Sequence, residues 1–337
     1  MTAGAMPMGR AELHGALDAS LAYAATYPAG GMRLSNHLPM VLTALWHLGA
    51  PADALHAPLR RAEERLERLT PDRSEARVAS ELSARISRSG VPDVLMEELP
   101  ELLLAAETAA FHGLIRLAYA LAADHQREIA QALAAWRTTL VRLGPPMDAR
   151  PAGNHPSIAS ALGALRQRPG LAFGPRSGTT ITADMQACVA LPGFDAAVAG
   201  ADAPTDTALT PDALAEASLA VYLASRDFTA LHLVTACHAW RQVEPLAHFD
   251  ADRARIARRG LWRAWLAAWL SIGRPKPDFD AVHAGGATEI LWEAALPGLA
   301  ASPDEHRIKL AWTALDEWRH RGWPGYAGAL PAPRTQP

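Results

Sequence analysis

The chain has 337 residues, with 32 Lys and Arg against 35 Asp and Glu for a formal net charge of −3, and half of it is hydrophobic. Near-neutral charge without a basic, aromatic-interleaved run argues against nucleic acid or an anionic membrane as the main partner, while the length suffices for a large core. Cys188 and Cys237 form neither a disulfide framework nor a zinc spacing, no apolar leader segment is visible, and the densest apolar stretch, 260–273, is short and holds Arg263, so a cytoplasmic chain is expected.

Helical periodicity then dominates. Leu13, Leu17 and Leu21 recur every four residues and predict a helix over 11–26. In SNHLPMVLTALWHLGA (35–50), Ser35 or Asn36 reads as an N-cap and Pro39 as a first-turn proline, but neither rule accounts for His37. The charged segment 51–88 predicts an exposed helix with i,i+4 pairs such as Arg60–Glu64. Two helices are expected next, Val94–Leu121 and His125–Leu143, stopped by Gly144-Pro145-Pro146. Prolines and glycines crowd 144–210, which predicts an irregular crossover or lid with a short helix at 155–166 and a strand near 179–190. FGPRSGTT within it lacks the lysine and spacing of a phosphate loop. Thr210-Pro211 restarts helix, which continues in pieces to Trp318; Trp262, Trp265 and Trp269 fall on one core-facing stripe. The expected class is therefore all-α: one multi-helix bundle over 1–337, with an N-terminal half (11–143), the irregular segment (144–210) and a C-terminal half (211–320).

Thirteen histidines punctuate this pattern. His14, His47, His56, His125, His248 and His320 sit in charged or amphipathic surroundings and read as surface residues; His155 reads as a turn or cap, and His283 is ambiguous. His37, His112, His232 and His306 are different, because each lies on a separate apolar helix. His238 follows His232 by six residues, about 120° around a helix, and should face elsewhere. A bundle can aim side chains from separate helices at one centre, and imidazole suits iron, zinc, copper or nickel. No Glu-x-x-His, His-Glu-x-x-His or Asp-Asp-x-x-Asp occurs, which argues against a carboxylate-bridged di-iron site and a zincin and leaves a single metal with mostly neutral ligands. Lys309, one turn after His306, is awkward there as an ammonium; as a carbamate formed with carbon dioxide it would serve as an anionic ligand.

Taken together, NHLPMVLTALWHLGA, FHGLIRLAYAL, DFTALHLVTACHAWR and DEHRIKLAWTALDEW resemble the questin oxidase-like family, in order from about residue 14 to 319. The resemblance implies oxidative opening of an anthraquinone-type polyketide, by Baeyer–Villiger-type insertion or a related oxygen-dependent C–C cleavage. It marks His37, His112, His232 and His306 with Lys309. The first expectation is thus an oxygenase with a mononuclear non-haem Fe2+ on those residues, taking dioxygen and a small hydrophobic aromatic substrate, with Arg116 steadying a phenolate or enolate oxygen and Tyr119 one turn further. Two rivals stand beside it: the same oxidation driven by NADPH without a metal, and a non-catalytic helical binding or scaffold protein. No Gly-x-Gly-x-x-Gly follows a strand, so no Rossmann fold is expected, and the oligomeric state is left open.

Overall fold

The computed structural model describes residues 7–145, 147, 153–171 and 180–330. Alanine and leucine, both strong helix formers, fill most of the periodic stretches, and the fold is all-α, with one hairpin among the described residues. The N-terminal half runs through α1 (Arg10–Ser20), β1 (Thr26–Ala29), β2 (Met32–Ser35), α2 (Leu38–His47), α3 (His56–Arg65), α4 (Ser74–Ser89), α5 (Val91–Leu102), α6 (His112–Ala122) and α7 (Gln126–Thr138). The middle holds α8 (Ile158–Arg166), α9 (Ile181–Val189) and α10 (Phe194–Ala199). The C-terminal half adds α11 (Pro211–Ser225), α12 (Phe228–Val243), α13 (Ala251–Ser271), α14 (Phe279–His283), α15 (Glu289–Ala300), α16 (Glu305–Arg321) and α17 (Gly325–Gly328). Among the described residues no helix is long and apolar enough to cross a membrane.

One continuous apolar core runs from Met8 to Ala329, with α12 packed against α6, α11, α13 and α16. The tryptophan stripe of α13 faces it, with Trp262, Trp265 and Trp269 at most 1% exposed. Thr210 caps α11 by accepting from Ala213 N–H at 3.1 Å, with Pro211 in the first turn as the sequence predicts.

Four expectations need correction. The 11–26 helix stops at Ser20, and the chain turns into the β1–β2 hairpin, whose Gly30-Gly31 turn needs positive φ at both residues (55° and 79°). The 51–88 helix is cut at 66–73, where Leu69 N–H donates to Ala22 O and Ala24 N–H to Glu67 O, pinning the strip to the end of α1. The strand near 179–190 is α9, capped by Thr180, with Met185 and Cys188 buried on the side that meets α13. The FGPRSGTT segment, apart from its last residue, lies outside the described residues.

The fourth correction matters most for the site. The expected helix Val94–Leu121 is broken over 103–111, and nothing in ELLLAAETAAFHG marks the break. Tertiary contacts impose it. Glu107 accepts from Leu143 N–H at 2.7 Å, and the Thr108 hydroxyl exchanges hydrogen bonds with Val141 at 3.2 Å, drawing this stretch toward the end of the first half. Ala109, Ala110 and Phe111 then turn left-handed, with φ of 52°, 54° and 69°, a conformation that costs non-glycine residues roughly 1–2 kcal/mol each. Helix α6 starts afresh at His112, pointing in a direction that an unbroken helix would not have allowed.

Candidate functional site

Four of the histidines arrive from the beginnings of four helices. His37 occupies the N-cap position of α2, but its neighbour does the capping: Asn36 Oδ1 accepts from Leu38 N–H at 2.9 Å while Asn36 Nδ2 donates to Ala24 O. The His37 ring is thereby free to project. His112 is the first residue of α6, His232 lies one turn into α12, and His306 follows Asp304, which caps α16 by accepting from His306 N–H at 2.9 Å. Gly113 lets α6 sit directly on α7, since a Cβ there would come within 2.6 Å of the Trp136 ring.

The four imidazoles form a ring. Centroid distances are 4.9 Å for His37–His112, 5.1 Å for His112–His232, 5.5 Å for His232–His306 and 4.6 Å for His306–His37. All four line one cavity of about 1220 Å³, together with Phe228, whose ring is 4.8 Å from His232 and 4.5 Å from His306. Helix α9 also begins at this cavity, so the N-terminal ends of five helices (α2, α6, α9, α12 and α16) converge on it.

The outward nitrogens are engaged. His112 Nδ1 meets Ala109 O at 2.5 Å, His232 Nδ1 meets Phe228 O at 2.8 Å, and His37 Nδ1 lies 3.2 Å from Glu305 Oε2. His306 Nδ1 is 3.6 Å from Asp304 Oδ1. Carbonyl and carboxylate oxygens only accept, so the Nδ1 atoms of His112 and His232 carry the protons and their Nε2 atoms hold lone pairs. Burial first, then the Lys309 charge, hold His37 well below its ordinary pKa, His112 down to about 3 and His306 down to about 4. Burial and the neighbouring His112 do the same for His232. Four neutral imidazoles result, and His37 Nε2 stands 2.8 Å from His112 Nε2.

Lys309 is not among the residues that line the cavity; it is 2% exposed, its charge acts on all four imidazoles, and burial pushes its ammonium down to about 7. Tyr119, expected as a catalytic residue, does not reach the cavity wall. Its hydroxyl donates to Lys309 O at 3.0 Å and lies 3.2 Å from Thr313 Oγ1, so it holds the Lys309 backbone. Arg116 is also displaced from its expected role. It is 4% exposed and forked onto Glu128 across α6 and α7, at 2.7 and 3.1 Å, which leaves its charge spent on that pair. Sequence reading gave no role to Phe228, Asp304 or Glu305, although SPDEH carries an N-cap pattern that could have drawn attention to the last two.

His47 and His125 are not surface residues: His47 stacks on Trp312 at 4.5 Å, and buried His125 caps α7 through Nδ1, which accepts from Glu128 N–H at 3.0 Å. His238 does face away from His232, as helical geometry requires. It joins Asp316 and Glu317, whose donor atoms lie within 4.8 Å of one another, a tighter group than the four-histidine ring. Arg241 and Arg321 already occupy those carboxylates, with Nε atoms 2.6 and 2.5 Å from Glu317, so the triad is charge-compensated without a cation.

A family model described as Questin oxidase-like matches residues 34–314. No curated protein matches the chain.

Proposed function

The chain belongs to the questin oxidase-like family, and we propose that it is an oxygenase for an aromatic polyketide or quinone-like substrate, working with a single non-haem iron held by His37, His112, His232 and His306. The family points to the oxygenase and the substrate class; the metal reading rests on one observation. His37 Nε2 and His112 Nε2 face each other at 2.8 Å while His112 Nδ1 is fixed as a donor to a carbonyl. Two lone pairs at that distance repel unless a cation lies between them or His37 carries its one proton on Nε2, and the Glu305 carboxylate 3.2 Å from His37 Nδ1 favours that proton on Nδ1 instead. Imidazoles whose second nitrogen donates to a carbonyl or carboxylate are the usual form of metal-binding histidine.

Iron, when bound, supplies the one-electron chemistry that dioxygen needs to react with a closed-shell aromatic. Everything else falls to the chain. Phe228 and the imidazole faces offer flat apolar contact to a fused-ring substrate, and the cavity of about 1220 Å³ holds one with room to spare. Glu305 and Asp304 orient His37 and His306. Lys309, carried as a carbamate, adds the negative charge that four neutral ligands lack, and Tyr119 holds its backbone from behind. Insertion of one oxygen atom, with the other leaving as water, needs two electrons, for which NADPH is the co-substrate; cleavage that keeps both atoms needs none.

Metal analysis of the purified chain after anaerobic iron loading tests the reading. One iron per chain, with substrate-dependent dioxygen uptake, is expected. Substrate oxidation that persists at full rate in metal-free protein would instead favour the NADPH-only route, and NADPH consumed per dioxygen separates the two oxidation modes.

A further inference from the structure

We propose that Arg65, backed by Arg61, forms a carboxylate-binding site at the rim of the cavity, so that the substrate is an aromatic acid bound as its anion. The inference rests on the oxygenase reading only for the aromatic part of that substrate. Helix α3 sets the two arginines one turn apart, an arrangement in which like charges repel. Both border a small side chamber of about 20 Å³ whose wall also includes His37 and Glu305, and Arg65 lines the main cavity as well. The pair therefore stands between solvent and the four-histidine ring.

Arg65 is held in place yet left without a counter-charge. Its Nη2 donates to Tyr27 OH at 3.2 Å, and the guanidinium lies 5.8 Å from the Tyr27 ring centre. Among the described residues no carboxylate forms an ion pair with Arg65 or Arg61, and Arg61 Nε is buried without a hydrogen-bond partner. Every other charge in the wall is engaged. Arg33 pairs with Glu67, Asp227 and Asp304 cap α12 and α16, Glu305 faces His37, and Asp184 is also partnered.

The N-termini of the five helices that converge on the cavity favour an anionic over a neutral substrate there. A guanidinium presents a planar fork that matches a carboxylate better than a single phenolate oxygen. With the carboxylate at Arg65, the aromatic body extends inward along Phe228 toward the imidazoles.

Binding of 9,10-anthraquinone-2-carboxylate and of its uncharged methyl ester to the iron-loaded chain, measured anaerobically by calorimetry, tests this. The acid should bind about tenfold tighter than the ester. Arg65→Gln should abolish that preference while leaving the ester's affinity unchanged, Arg61→Gln should reduce it less, and Arg65→Lys should retain part of it; far-UV circular dichroism checks that each variant folds. Equal binding of acid and ester, a preference that survives Arg65→Gln, or no binding of either compound to a chain that holds its iron overturns the inference and leaves the oxygenase reading standing. Acid selectivity in a chain that takes up no iron does the reverse.

Discussion

Helix α12 carries two buried histidines six residues apart, and their surroundings are opposite in kind. His238 faces Asp316 at 3.0 Å and Gln242 at 2.7 Å, in a network where two carboxylates meet two guanidiniums. Burial pushes Asp316 and Glu317 up, but the His238 contact and Arg241 more than offset it, and both carboxyls end below their ordinary range. His232 faces three further imidazoles and a buried lysine, with no carboxylate inside the ring. The first cluster is complete and rigidifies the α12–α16 contact. The second is a set of inward lone pairs beside an open cavity. Burial of polar groups is common to both; what distinguishes a site from a staple is which of them lacks a partner.

Breaking each cluster should therefore fail differently. The largest effect is expected from His112→Ala or His37→Ala, which should abolish stoichiometric metal retention and turnover together, read by metal analysis and dioxygen uptake, with helical content unchanged. Glu317→Gln should act on stability instead. It removes one charged partner from Arg241 and Arg321, which keep Asp316 and Asp212, for a loss of about 1–3 kcal/mol in urea unfolding, while metal content per folded chain stays as in the parent.

Acid should separate the clusters by where it acts. In the metal-free chain the ring histidines titrate far below the ordinary value of 6.5 that the unfolded chain has, so between pH 6.5 and about 4 the unfolded state binds protons that the folded state refuses. Stability then falls as pH drops through that window, whereas the triad's depressed carboxyls lose their contribution only as pH falls below about 4. His232→Gln should flatten the upper window by about one proton, roughly 1.4 kcal/mol per pH unit, in unfolding measured at stepped pH. The smallest effect is expected from Glu305→Gln, which leaves every imidazole but weakens the orientation of His37: metal affinity should fall on the order of tenfold in chelator competition.

Much of this was legible in sequence, for physical reasons. The four histidines stood out because each interrupted an apolar helical stripe, and Thr210-Pro211 announced α11 through local capping chemistry. What could not be read was set by distant parts of the chain. The break before His112 depends on Glu107 and Thr108 reaching residues 141–143, some thirty-five positions away. The positions of Arg116 and Tyr119 are likewise set at a distance. Helical spacing put them on the helix of His112, but only the packing of α7 and α16 decides that Glu128 and Lys309 claim them. The hairpin is hidden in sequence although Gly30-Gly31 is a turn signal, because two four-residue strands give too little alternation to compete with the helical pattern.

Gly113 seats α6 against the Trp136 indole with no spacer between them. A helix so seated cannot shift toward its neighbour, and His112 stands at its first residue. The aperture of the imidazole ring is in this sense a fixed bore, gauged by an indole on the far side of the helix. For a metal held as proposed, such a bore would select by ionic radius and coordination geometry, and the order of divalent-metal affinities should then depart from the order that flexible imidazole peptides follow.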